Sequence, residues 1–298
     1  MTTELPLAVP LPQRGVLAVG GPDRVSFLQG LVSNDVARVT EGRAVWAALL
    51  TAQGKYLHDF CIAALGDALL LDCEAARRDD LLRRLRPYRL RAQVTLEDRT
   101  DTLAVSALVG TAAPAALELP AEPGAARTVA GGTAFVDPRH AALGLRLILP
   151  REGGATALAG FRQGGEADWD SARLALGIPD GSRDLVPEKS ILLENGFDEL
   201  QGVAWDKGCW MGQELTARTR YRGLIRKRLL PVEVCGPLPE PGTPVFLGER
   251  EAGEMRSGHG GQGLALLRLE EVERAAAEGL SFRAGEATLS PRRPSWMG

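Results

Sequence analysis

The densest run of residues able to do chemistry is Trp205-Asp206-Lys207-Gly208-Cys209-Trp210-Met211-Gly212-Gln213-Glu214, which continues through residues 215–220 into Tyr221-Arg222-Gly223. Glycines on both sides of Cys209 make a flexible loop that allows close approach, and residues 213–220 read as a helix directly after it. A cysteine beside a helix N-terminus and two residues from the Lys207 ammonium is expected to favour thiolate over thiol, which gives a nucleophilic, metal-binding sulfur. The competing reading is a small buried residue in a glycine-tight turn. Cys61, Cys73 and Cys235 each lie in or beside an apolar strand-like run and are expected to pack.

The four cysteines form no C-x-x-C pair, and His58, His140 and His259 stand apart from one another and from the cysteines, so no metal centre is expected. Two arginine-rich stretches stand out. Residues 77–91 hold seven arginines against Asp79 and Asp80, and residues 218–228 add Arg220, Arg222, Arg226 and Lys227 to Arg218 and Arg228 with no acidic residue between. Guanidiniums of this kind suit the carboxylates of a polyglutamate tail, or RNA, or simply form a solvated face.

The elements that must position these groups follow from apolar spacing and turn chemistry. A strand at 16–19 meets Gly20-Gly21-Pro22-Asp23, with Asp23 as N-cap of a helix to residue 32. Strands at 44–50 and 56–64 flank a turn at Gln53-Gly54, and another follows at 68–73. A helix over 74–85 ends before Pro87, strands follow at 94–96 and 103–109, and residues 110–132 read as a short helix with loops. A strand at 144–149 and a helix at 166–176, stopped by Gly177, come next. After Arg228, short strands at 229–234, 244–247 and 263–269 between Gly/Pro turns suggest a small barrel or sandwich. The class is α+β.

The chain has 298 residues, 45% of them hydrophobic, enough for a sizeable core in two or three domains. Its net charge of −3 gives no overall field that would draw it to polyanions. Residues 1–9 carry no basic, apolar leader pattern and no segment reaches the roughly 20 apolar residues of a membrane span, so a cytoplasmic protein with no membrane partner is expected.

Lys207-Gly208-Cys209 followed by an aromatic and Gly212-Gln213-Glu214, continuing into Ala217-Arg218 and Tyr221-Arg222-Gly223, resembles the signature of the YgfZ family of folate-binding proteins. Phe27-Leu28-Gln29-Gly30-Leu31, Ser33-Asn34-Asp35, Thr51-Ala52-Gln53-Gly54-Lys55, Ala172-Arg173-Leu174, Gly177-Ile178-Pro179 and Pro187-Glu188 extend the likeness in the same order, leaving only about residues 110–132 without a counterpart. The resemblance implies a three-domain ring of the aminomethyltransferase folate-binding type. In it, residues 1–44 and 150–227 form a discontinuous folate-binding domain, 45–149 a ferredoxin-like domain and 228–298 a C-terminal β-barrel. It also implies a tetrahydrofolate, or one-carbon derivative, contacted from Asn34, Asp35, Gln53, Arg173, Lys207, Gly208, Gly212, Gln213, Glu214, Arg218, Tyr221 and Arg222. Asn34 and Asp35 equally suit a turn or cap, and Trp205 and Tyr221 either stack on a pterin or close the core.

The implied role is an accessory one in iron–sulfur cluster assembly or repair, with Cys209 handling sulfur or holding a cluster transiently for assembly proteins or client enzymes. Two alternatives follow. An aminomethyltransferase would use Asp59 beside the substrate amine, but the related T-proteins carry a pterin-holding glutamate where this chain has Ala175. A tRNA-modification accessory factor would use the arginine stretches. For Asp59, a solvated strand-end carboxylate is the competing expectation.

Overall fold

The computed structural model describes residues 6–223 and 225–298, which fall into two compact units. Among the described residues, the first comprises 6–50, 57–169 and 201–211, and the second 51–56, 170–200, 212–223 and 225–298.

The first unit is built on two sheets. One has the order Val45–Leu50, Tyr56–Leu65, Ala68–Glu74, Arg14–Gly20, Thr95–Asp98. Val45–Leu50 is buried along its whole length, as an unbroken apolar run without alternation predicts. Helices Arg24–Gln29 and Arg78–Leu85 bring Phe27, Leu28, Leu81, Leu82 and Leu85 onto Leu17, Val19, Ile62 and Leu71. Full burial of each such side chain stabilises by about 1.5–3 kcal/mol. Asp23 precedes the first helix but does not cap it; its carboxylate accepts from the Gln93 amide at 2.7 Å. The second helix begins at Arg78 rather than Glu74, after a 3-10 turn at Ala75–Arg77.

The other sheet has the order Arg162–Gln163, Leu7–Pro10, Leu103–Val109, Leu145–Pro150, Gly132–Val136, Ala126–Val129. Strands Leu7–Pro10, Ala126–Val129 and Gly132–Val136 were not expected from the sequence. A buried ionic chain ties the two sheets together. Arg14 Nε donates to Asp72 Oδ1 at 2.6 Å, Arg146 donates to Asp72 at 2.8 Å and to Asp137 at 3.3 Å, and Arg139 donates to Asp137 at 2.7 and 2.9 Å. Trp169 lies under Arg146, 4.6 Å from guanidinium carbon to ring centroid. Burial raises the Asp137 carboxyl, but Arg139 and Arg146 outweigh it and hold the group at about 2.

In the second unit, Lys227–Cys235, Gln262–Arg268, Arg250–His259, Pro244–Leu247, Phe282–Ala284 and Ala287–Pro291 pair in that order, and the last closes on the first to complete a barrel. Val232, Val245, Leu247, Met255, Leu267, Phe282 and Leu289 fill it, with Ala275 from helix Leu269–Glu278 packed among them. The alternation that buries Val232 puts Glu233 and Cys235 outside, so Cys235 is exposed rather than packed.

Candidate functional site

Cys209 is exposed, on a loop that the first unit holds from beneath. Its neighbour Lys207 does not turn toward the sulfur as expected. Its Nζ donates to the main-chain oxygens of Gln29 at 2.7 Å, Val32 at 2.6 Å and Asn34 at 2.8 Å. An ammonium has three hydrogens to donate, and these carbonyls take all of them. Burial lowers the Lys207 pKa to about 8, with Asp35 opposing. The charge also sits just past the C-terminal end of helix Arg24–Gln29, where a cation is favoured.

The rest of the Phe27–Asp35 motif clamps the same loop. The Ser33 hydroxyl donates to the Gly202 carbonyl at 2.6 Å, the Ala204 amide to the Ser33 carbonyl at 3.0 Å, and the Met211 amide to the Gly30 carbonyl at 3.0 Å. The Asn34 amide group donates to Trp46 and Gln201 oxygens, both at 2.7 Å, while its oxygen accepts from the Asp35 amide. Asp35 caps the 3-10 turn Val36–Arg38 and accepts from Gln29 Nε2 at 2.8 Å. Asn34, Asp35 and Lys207 are thus joined to Gly208 and Cys209 as a support, with their polar atoms turned inward. Gln29 and Ser33 belong to this support; in the sequence they stand inside the shared motifs without a role, because only their distant partners give them one.

Gly208 has φ of 87° with open space at its Cβ position, so the backbone angle alone calls for glycine. Of the other three thiols, Cys61 and Cys73 are buried, and burial pushes each up to about 12. Asp59 is also buried, mid-strand, with one oxygen accepting from Trp46 Nε1 at 2.9 Å, which corrects the expectation of a solvated strand-end carboxylate. His58 alongside it is buried against Asp80 at 2.9 Å.

The remaining expected site residues lie in the second unit. Gly54, at φ of 79°, brings the turn carrying Gln53 against Gly212 and Leu215 at the start of helix Gln213–Tyr221. Gln53, Glu214, Arg218, Tyr221 and Arg222 are exposed there, with Arg218 paired to Glu214 at 2.8 Å. Arg173 is fully buried, and its three nitrogens donate to Asp170, Asp184 and Ser257 at 2.6, 2.9 and 2.8 Å. That leaves it no donor atom turned to a ligand.

A residue not anticipated, Glu194, fits a ligand better. It is half-buried, makes no hydrogen bond among the described residues, and its pKa is raised by burial against the opposing charges of Lys227, Lys55 and Arg228. Its signal in the sequence is a single acid following Ile191-Leu192-Leu193. Among the described residues no three His, Cys, Asp or Glu side chains converge on a metal site.

Comparison with known proteins adds to this geometry. Residues 13–126 match the GCVT N-terminal domain, and residues 226–298 match the CAF17 C-terminal beta-barrel domain. The chain is 35% identical over 311 residues to the mitochondrial iron–sulfur cluster assembly factor IBA57 of Homo sapiens, covering 95% of this chain and 83% of that protein. The Mus musculus counterpart is 35% identical over 87% of this chain and 77% of its own length. The crystal structure of the glycine cleavage system aminomethyltransferase T from Bartonella henselae superposes with a TM-score of 0.78 at 17% identity, over all of this chain and 87% of that one, so the fold is of the aminomethyltransferase type. The expected cytoplasmic location is corrected by these comparisons, because the relatives carry mitochondrial names.

Proposed function

The chain belongs to the family of the iron–sulfur cluster assembly factor IBA57, and on that premise we propose that it serves iron–sulfur cluster assembly through the thiolate of Cys209. The observation that carries this reading is an exposed cysteine on a loop fixed by the three-carbonyl grip on Lys207. Cys209 loses its proton as its sulfur binds iron, and supplies one ligand. Further ligands come from an assembly protein or client enzyme, since Cys61 and Cys73 are sealed in the core. The loop signature favours the YgfZ branch.

Tetrahydrofolate is the small ligand we assign to the second unit. The Glu194 carboxylate offers two acceptor oxygens to the donor array of a pterin, and Lys55 and Lys227 supply charge for the acidic tail. When bound, the folate would supply a one-carbon carrier; the residues named only bind and orient it.

The test is made in cells lacking the protein, by assaying enzymes that depend on iron–sulfur clusters. Wild-type chain is expected to restore their activity and Cys209→Ser to fail at equal abundance. Full restoration by Cys209→Ser would remove the cysteine from the mechanism. Protection of Glu194-dependent folate binding is read separately, by titrating tetrahydrofolate against wild type and Glu194→Gln.

A further inference from the structure

The first unit also carries an exposed turn that its own packing does not explain. After helix Arg78–Leu85 the chain continues as the 3-10 turn Arg86–Arg89, then reverses at Leu90 with φ of 30° and ψ of −102°. That places a non-glycine residue in the left-handed half of backbone space and aims its side chain outward. Leu90 is 91% exposed and Tyr88 45% exposed. A leucine fixed in water gives up the stabilisation it would have if covered.

The charges around this apolar tip are uncompensated. Arg78 pairs with Asp98, and Arg83 and Arg84 both pair with Asp80, whereas Arg86, Arg89 and Arg91 form no ion pair among the described residues. The Tyr88 hydroxyl donates to the Met211 sulfur at 3.1 Å, which ties the turn to the loop two residues beyond Cys209.

We propose that turn 86–91 is the docking surface for an acidic segment of a partner protein that carries an apolar side chain between its carboxylates, seated beside the Cys209 loop. Guanidiniums take carboxylates bidentately, and arginine and tyrosine are the residues that anchor protein interfaces. Arg-Pro-Tyr-Arg-Leu-Arg supplies both kinds and contains no lysine. A nucleic acid fits less well, because three charges grouped around a leucine do not track a row of phosphates and the net charge of −3 opposes a long polyanion. The surface is independent of the chemistry assigned to Cys209.

The test uses the full chain and a fluorescein-labelled synthetic peptide with glutamates and leucines along one helical face. Its affinity is read by fluorescence anisotropy at low and moderate salt. The triple variant Arg86→Ala, Arg89→Ala, Arg91→Ala is expected to bind it on the order of tenfold more weakly. Leu90→Asn, which removes the apolar tip, is expected to weaken it as well. Bound peptide is expected to slow maleimide modification of Cys209 in a Cys235→Ser background. Equal affinity for the triple variant would overturn the proposal. So would tighter binding of a single-stranded RNA dodecamer with no effect of Leu90→Asn, which would give the surface to nucleic acid. An unchanged maleimide rate at saturation would overturn its position beside Cys209. Thermal melts of each variant separate lost binding from lost folding.

Discussion

The Lys207 ammonium donates to the carbonyl of Val32 at 2.6 Å, across 175 residues of sequence. Two segments that look like separate motifs in the chain form one assembly, in which the earlier grips the loop carrying the later one's cysteine. Replacing Lys207 by Met removes three charge-assisted hydrogen bonds at once and is expected to destabilise the protein by on the order of 3 kcal/mol, measured by urea denaturation. Lys207→Arg should recover little, because a planar guanidinium cannot reach three carbonyls converging on one nitrogen.

The turn glycines separate two kinds of strain. An added Cβ at Gly54 would stand 2.6 Å from Leu215 Cβ and 2.7 Å from the Gly212 oxygen, whereas at Gly208 nothing lies within 4 Å. Gly54→Ala is expected to cost more than about 2 kcal/mol, and Gly208→Ala about 1 kcal/mol from backbone angle alone. Thermal unfolding of the two variants checks the order.

His58 makes the protein sensitive to mild acid. Burial first, then the Arg77 charge, lowers its pKa to about 4 against the hydrogen bond and charge of Asp80. Between pH 6.5 and 4 the unfolded chain takes up a proton that the native chain does not, so stability falls as pH drops through that window. The loss is on the order of 2–3 kcal/mol, and His58→Gln is expected to flatten the dependence of Tm on pH there. Asp80, held at about 2 by Arg84 and His58 although burial opposes it, contributes its own loss only below this range.

Thiol counting tests the burial pattern. Native alkylation near pH 8 is expected to modify Cys209 and Cys235 and to spare Cys61 and Cys73, which burial pushes up to about 12. Mass spectrometry of the intact chain should show two adducts, and one after Cys209→Ser.

Much of the fold was legible where apolar runs are unbroken. Val45–Leu50 and Pro244–Leu247 stand where spacing and turns put them. Strand Arg250–His259 escaped notice because it opens with Arg250, Glu251 and Gly253, and helix Leu269–Glu278 because its start abuts the preceding strand without a capping side chain. At the candidate site the types were readable and the partners were not. Lys207 and Arg173 look like ligand-binding cations in sequence, yet hydrogen bonds from folded neighbours close on every donor nitrogen of both. Glu194 gained meaning only once Lys55 and Lys227 came beside it.

The closure of the C-terminal strands has a consequence for self-association. A barrel whose last strand bonds to its first presents no row of unmet amides for another chain to extend. Among the described residues, the outer strands of the two open sheets guard themselves in different ways. Arg162–Gln163, Ala126–Val129 and Thr95–Asp98 run for only two to four residues and carry charge, while Val45–Leu50 is covered along its length. The architecture therefore resists templated β-stacking, so that a recognition partner must be met by side chains rather than by an added strand.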